Sequence, residues 1–262
     1  MRYTERLGKI MSKKKVRLFN IEFDNIDFAE LSSYIKESVG NKKPQYIVTC
    51  NVDHIVQLSN DSEFQEVYRK ADIKVADGVP IIWASKLLMS PIKQKISGSD
   101  ILPVLGEDFE KNNYKIFFLG SACGVAEQAK LNLQKVYPKL NIVKCYSPPY
   151  GFENNKIEND KIIKIIKETS PDILFVGLGA PKQEKWIYKN YKEYQVPLSI
   201  GIGGTFDLLA GNLKRAPLIF QKCGLEWFWR LCQEPKRLWK RYLIDDSKFL
   251  YILLKEIITR KR

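Results

Sequence analysis

From Tyr114 onward the chain repeats one pattern: a short apolar run, a glycine break, then a longer segment with apolar residues at helical spacing. Residues 114–119 (YKIFFL) run into Gly120-Ser121-Ala122-Cys123-Gly124 and a helix to Tyr137. Residues 142–145 run into a loop over 146–152 that holds two Pro and a Gly, and 159–169 read as a helix. Residues 172–176 (DILFV) run into Gly177-Leu178-Gly179-Ala180-Pro181-Lys182-Gln183-Glu184, with a helix over 186–194. Residues 197–202 end in Gly203-Gly204-Thr205. Strands that alternate with helices bury both faces of a parallel sheet, because each crossover lays a helix on one face. The expected class is α/β, a Rossmann-like parallel sheet with helices on both faces.

The first half fits the same scheme. Residues 16–23 alternate as a strand, 28–39 form an amphipathic helix, and Gln45–Cys50 is a compact apolar strand ending at Asn51. Residues 55–70 read as a helix disturbed at Asp61 and Ser62. Ile73, Val75 and Ala76 form a short buried strand that Asp77-Gly78 breaks before helical spacing over 79–88. Ser97 to Asp100 is a loop that caps a helix reaching Phe109. Asp77 thus stands at the carboxyl end of a strand, the edge where open α/β sheets bind ligands. An Asp there also suits a helix cap, and the two roles stay open.

Charge divides the chain into three. The net charge is +13. Residues 1–17 hold seven Lys/Arg against one Glu, and 222–262 hold eleven against five acids. Each end therefore carries +6 and the middle only +1. The expected organisation is a basic extension over 1–17, a core over 18–221 and a basic, aromatic-rich helical appendage over 222–262. Basic ends suit an anionic membrane surface or nucleic acid, but nucleic acid would call for positive charge and stacking aromatics at the core's ligand edge. The near-neutral core disfavours that alternative, a basic nucleic-acid-binding α/β protein. Pro235 should open a helix that places Leu238, Trp239 and Tyr242 on one face, with Lys236, Lys240, Arg237 and Arg241 as a basic face beside them.

The five cysteines show no C-x-x-C pair, so neither a disulfide framework nor a zinc site is indicated, and a reducing cytosol is expected. No signal peptide and no membrane-spanning run are legible, and Met11 before Ser-Lys-Lys-Lys is a second possible start. Gly120, Gly124, Gly177, Gly179, Gly203 and Gly204 gather at strand ends, where glycine admits a diphosphate close to the backbone and helix N-termini offer free N–H groups. That pattern predicts a nucleotide site. No G-x-G-x-x-G with a following ribose acid and no Walker loop is present, which disfavours NAD and ordinary ATP hydrolysis.

The order of these motifs resembles the WecG/TagA/CpsF family of bacterial glycosyltransferases. The matching residues are Thr49 and Asn51 in TCNVDHI, Ala76-Asp77-Gly78 with Trp83-Ala84-Ser85, and Gly98-Ser99-Asp100. Further on come Ala180 to Glu184 with Trp186, Gly203 to Asp207 with Ala210-Gly211, and Lys214 to Pro217. In the appendage, Gly224 to Trp227, Arg230-Leu231, Glu234-Pro235, Arg237 and Arg241 match. The likeness runs colinearly from Leu18 to about Arg241. It implies inverting transfer of a sugar (N-acetylmannosamine, its uronic acid or another hexose) from a UDP-sugar to a polyprenyl-diphosphate-linked sugar, in surface-polysaccharide or teichoic-acid synthesis. The place implied is the inner face of the cell membrane, with the protein peripheral on it through its appendage and a homo-oligomer possible.

Asp77 then becomes the candidate general base. The resemblance implies substrate-binding roles for Thr49, Asn51 and Gln183. Arg215, Arg230, Arg237 and Arg241 are candidates to meet the diphosphates, because no D-x-D is present to hold a metal and no other cofactor is implied. His54, the single histidine, is read as a turn residue rather than a catalyst.

Overall fold

The computed structural model describes residues 15–260. Most of the basic extension, residues 1–14, lies outside the described residues. The main sheet has six strands in the order β4-β3-β8-β7-β5-β6. They are β3 Gln45–Cys50, β4 Ile73–Ala76, β5 Ile116–Gly120, β6 Ile142–Tyr146, β7 Ile173–Gly177 and β8 Leu198–Gly201. The registers of β3 with β8, β8 with β7, β7 with β5 and β5 with β6 are all parallel. The α/β expectation holds, with helices flanking a parallel sheet. Strands β5 and β7 are buried along their whole length, as a sheet covered on both faces requires.

One expectation fails at the amino-terminal end. Residues 16–23 are not one strand but a hairpin, β1 Lys15–Leu18 paired antiparallel with β2 Ile21–Asp24. Phe19 and Asn20 link them with φ of 53° and 60°, the left-handed pair that a two-residue hairpin turn of matching twist needs. No glycine marks this turn. Phe19 takes an unfavourable backbone conformation and packs edge-on against Phe249, with ring centroids 5.3 Å apart.

The helix expected over 55–70 is two helices. The first, α2 Val52–Leu58, starts early because Asn51 caps it, its side-chain oxygen accepting from His54 N at 3.0 Å. The disturbance at Asp61 is the cap of α3 Ser62–Lys70, where Asp61 Oδ1 accepts from Phe64 N at 2.9 Å. The other helices are α1 Phe28–Asn41, α4 Val79–Leu87, α5 Gly98–Lys111, α6 Val125–Val136, α7 Lys156–Thr169, α8 Lys182–Tyr194 and α9 Thr205–Ala210.

The last stretch is helical: α10 Leu218–Lys222, α11 Glu226–Gln233, α12 Pro235–Lys240, a π-turn at Arg241–Asp245 and α13 Lys248–Arg260. Pro235 opens a helix as expected. Leu238 and Trp239 do not share a face, since neighbours on a helix lie about 100° apart; Leu238 is buried and Trp239 is 50% exposed.

The chain divides into two compact units. The first joins Met1–Asp27, of which residues 15 onward are described, with Thr49–Ser97 and Arg215–Arg262. The second joins Phe28–Val48 and Gly98–Lys214. Strand β3 passes from the second into the first at Thr49.

Candidate active site

In the first unit, the ends of β3 and β4 are joined through the backbone: Asp77 N donates to Cys50 O at 2.7 Å. Asp77 is half-buried, directly after four buried strand residues. The N-cap of α4 is Gly78, with φ of 118°, and Asp77 is the residue before it, between the end of β4 and the first turn of the helix. Thr49 is buried one residue before the end of β3, and Asn51 follows as the cap of α2.

Around this strand end lies a charged cluster. Asp53, in the first turn of α2, is buried and pairs with Arg241, Nη2 to Oδ2 at 3.2 Å. Arg241 Nε is 3.9 Å from Asp246 Oδ2, and the backbone closes the π-turn through Asp246 N to Arg241 O at 2.7 Å. Burial pushes the Asp246 carboxyl up to about 7; Arg241 opposes this, while Asp53 and Asp245 add repulsion. His54 is fully buried, its ring edge-on to Phe64 and Tyr68. Burial, helped by the Arg241 cation, lowers it to about 3, so it is neutral at physiological pH. It is a core residue within α2 rather than a turn residue or a proton donor.

The other appendage arginines are also held by an acid. Glu234 accepts from Arg230 at 3.0 Å and from Arg237 at 2.6 Å. Burial works against ionising Glu234, but these hydrogen bonds, Arg237 foremost, outweigh it and hold the carboxyl below its usual range. Arg215 is exposed just before α10. Lys95 pairs with Glu226 at 3.0 Å, fastening α11 to the segment after α4.

In the second unit, four strand-end loops are stitched to one another. Ser121 N donates to Gly177 O at 2.9 Å, Ser147 Oγ donates to Ala122 O at 3.2 Å, and Gly203 N donates to Gln183 Oε1 at 2.9 Å. Gln183 is buried, and its amide nitrogen donates to Glu184 Oε1 at 2.6 Å. Its polar atoms thus brace the β8 loop from α8. The six glycines fall into different kinds. A Cβ on Gly120 would meet Gly177 O at 2.4 Å, and one on Gly177 would meet Phe206 Cδ2 at 2.6 Å. These two let β5, β7 and α9 pack. Gly124, Gly179 and Gly203 have positive φ and open space where a Cβ would stand, the arrangement that lets backbone N–H groups approach a phosphate. Gly204 is the N-cap of α9. Among the described residues no group of three or more His, Cys, Asp or Glu gathers to hold a metal ion.

Sequence reasoning missed the acids that hold the arginines. Asp53 lies two residues from Asn51 inside TCNVDHI, and Asp245-Asp246 interrupts an otherwise basic stretch. Paired acids amid cations were the available signal, but only the fold shows which cation each one meets.

The model of the Glycosyl transferase WecG/TagA/CpsF family matches residues 16–262. The N-acetylglucosaminyldiphosphoundecaprenol N-acetyl-beta-D-mannosaminyltransferases of Staphylococcus aureus strains MW2 and NCTC 8325 are 31% identical over 250 residues, covering 95% of this chain and 94% of theirs. That of strain MRSA252 is 30% identical over the same span. A match of this extent takes in both units and the appendage, and with it the chain belongs to the WecG/TagA/CpsF family and is a glycosyltransferase.

Proposed function

We propose that this protein transfers N-acetylmannosamine, or a closely related hexose, from its UDP-sugar to a sugar carried on a polyprenyl diphosphate, with inversion at the anomeric carbon. The observation that carries the reading is the near full-length likeness to transferases whose names give both the sugar moved and the lipid-linked acceptor. Asp77 is the general base. It takes the proton from the acceptor hydroxyl as that oxygen attacks the anomeric carbon, and UDP departs with the bonding electrons. Within the second unit, the open glycine turns at Gly124, Gly179 and Gly203, with Gly204 at the start of α9, carry N–H groups suited to a nucleotide diphosphate. Thr49 and Asn51 hold the acceptor near the base, Gln183 sets the β8 loop, and Arg215, Arg230, Arg237 and Arg241 supply positive charge.

The reaction belongs at the inner face of the cell membrane. No helix among the described residues is long and apolar enough to cross a membrane. Instead α13 exposes Leu250, Tyr251, Leu254 and Ile258 along one stripe, with Trp239 and Leu243 exposed before it. An apolar stripe amid lysines suits a helix lying in an anionic headgroup layer.

The test is UDP release from UDP-N-acetylmannosamine and other UDP-hexoses, with a synthetic prenyl-diphosphate-linked N-acetylglucosamine as acceptor. Acceptor-dependent release by the wild type is expected, and Asp77→Asn should lower turnover by about 10²–10⁴-fold, the usual contribution of a positioned base. Equal turnover by the variant would remove Asp77 from the mechanism. Failure of the protein to bind UDP would remove the donor assignment.

A further inference from the structure

The cluster at the end of β3 contains more charge than the reaction scheme uses. Asp53, Arg241 and Asp246 all belong to the first unit, and the backbone connects them to the base. Asp77 N is bonded to Cys50 O, Asn51 follows Cys50 as the cap of α2, and Asp53 stands two residues further on, paired with Arg241 at 3.2 Å. The pairing is incomplete. Arg241 Nε and Asp246 Oδ1 are both buried without a hydrogen-bond partner. The Arg241 side chain as a whole is nevertheless 36% exposed. A guanidinium fixed by a carboxylate on one side, on a side chain that is still partly exposed, is suited to a multiply charged oxyanion such as a diphosphate, whose oxygens can accept its parallel N–H groups.

Resting on the transferase reading above, we propose that Asp53 and Asp246 are positioning residues for Arg241. They hold its guanidinium at the end of β3 to receive a substrate diphosphate, and Asp246 takes up a proton from solvent as that anion binds. The two acids differ in kind. Asp53, in the first turn of α2, lies where the helix dipole favours its charge. Asp246 is disfavoured as an anion by its burial and by the neighbouring acids. The charged and titratable groups around it are Arg241 and Asp245 on its own turn, the buried Asp53 and the neutral His54 on α2, Tyr242 beside Arg241, and Lys248, which pairs with Asp245 from α13. An arriving diphosphate adds repulsion to an ionised Asp246, so protonating this carboxyl lets Arg241 turn its full charge toward the ligand. Binding of the anion and of the proton then reinforce each other.

The experiment is calorimetric titration of the full chain with inorganic pyrophosphate at pH 6 and pH 8, for wild type, Asp246→Asn, Asp53→Asn, Arg241→Ala and the Asp53→Asn/Arg241→Ala pair. Wild-type affinity should fall by about tenfold more than that of Asp246→Asn between these pH values, as expected for one carboxyl titrating near 7 that must be protonated for binding. Referring every value to Asp246→Asn cancels the probe's own titration. Asp53→Asn should weaken binding in the wild-type background but not in the Arg241→Ala background, and Asp53→Glu should restore part of the loss. In the transfer assay, Asp53→Asn should raise KM for whichever substrate supplies the diphosphate and leave kcat nearly unchanged. Repeating the titration with UDP and with the lipid-linked acceptor tells which substrate that is, and either assignment supports the proposal. Equal pH dependence in wild type and Asp246→Asn, independent losses from Asp53 and Arg241, or no pyrophosphate binding by the wild type would overturn it. Linked pyrophosphate binding without any UDP release would instead overturn the transferase reading and leave the anion site standing.

Discussion

At Gly177 the last residue of β7 leaves no room for a methyl group: a Cβ would lie 2.6 Å from Phe206 Cδ2 and 3.0 Å from Gly203 O. Phe206 cannot yield, because it is fully buried and its ring packs on Phe118 with centroids 4.7 Å apart. Gly177→Ala should therefore cost about 1–3 kcal/mol, as overpacking in a filled core does, and lower the melting temperature accordingly. His54 makes a second prediction at this scale. Its folded pKa, about 3, lies below the ordinary 6.5, so the unfolded chain binds the extra proton between those values. The stability it contributes is full above pH 6.5 and is lost as pH falls toward 3. His54→Gln should flatten that part of the acid-unfolding curve relative to wild type, and an unchanged curve would mean that the ring is not buried neutral.

Elements were the most legible scale. Apolar runs closed by glycine located β5, β7 and β8 because fully buried parallel strands leave little choice of residue. The β1–β2 hairpin was hidden because its turn uses Phe19 and Asn20, and only Phe249, far along the chain, accounts for an aromatic there. The candidate site was legible in part for the same reason. Asp77 is placed by its own strand and could be read locally, whereas Arg241 is defined by Asp53, a partner no local pattern names. The α13 helix offers a test at this scale. Its last described residue, Arg260, donates to Leu88 O at 3.1 Å, to Ser90 Oγ at 2.9 Å and to Arg17 O. Arg260→Ala should leave the core intact and raise amide exchange across α13, with the largest increase in its final turns. Exchange unaltered by the substitution would show that the Phe249 contact alone holds the helix.

For the molecule as a whole, the appendage is an integral part of the unit that holds Asp77. Removing residues 222–262 takes away Arg241 from Asp53, Phe249 from Phe19 and Glu226 from Lys95. The shortened chain should bind anionic vesicles weakly, turn over poorly and melt at a lower temperature, while UDP binding survives if the glycine loops of the second unit carry it. Vesicle co-sedimentation, UDP titration and thermal melting separate these effects. The same interleaving bears on synthesis. Asp53 and Asp77 leave the ribosome early, whereas Arg241 follows only after all of the second unit has been made. The second unit can close while translation continues, but the strand ends around Asp77 must wait for the final helices. On the proposed reading a nascent chain of this enzyme therefore stays catalytically silent until its last stretch is free to dock, and shortening or stalling that stretch delays the onset of activity rather than the folding of the glycine loops of the second unit.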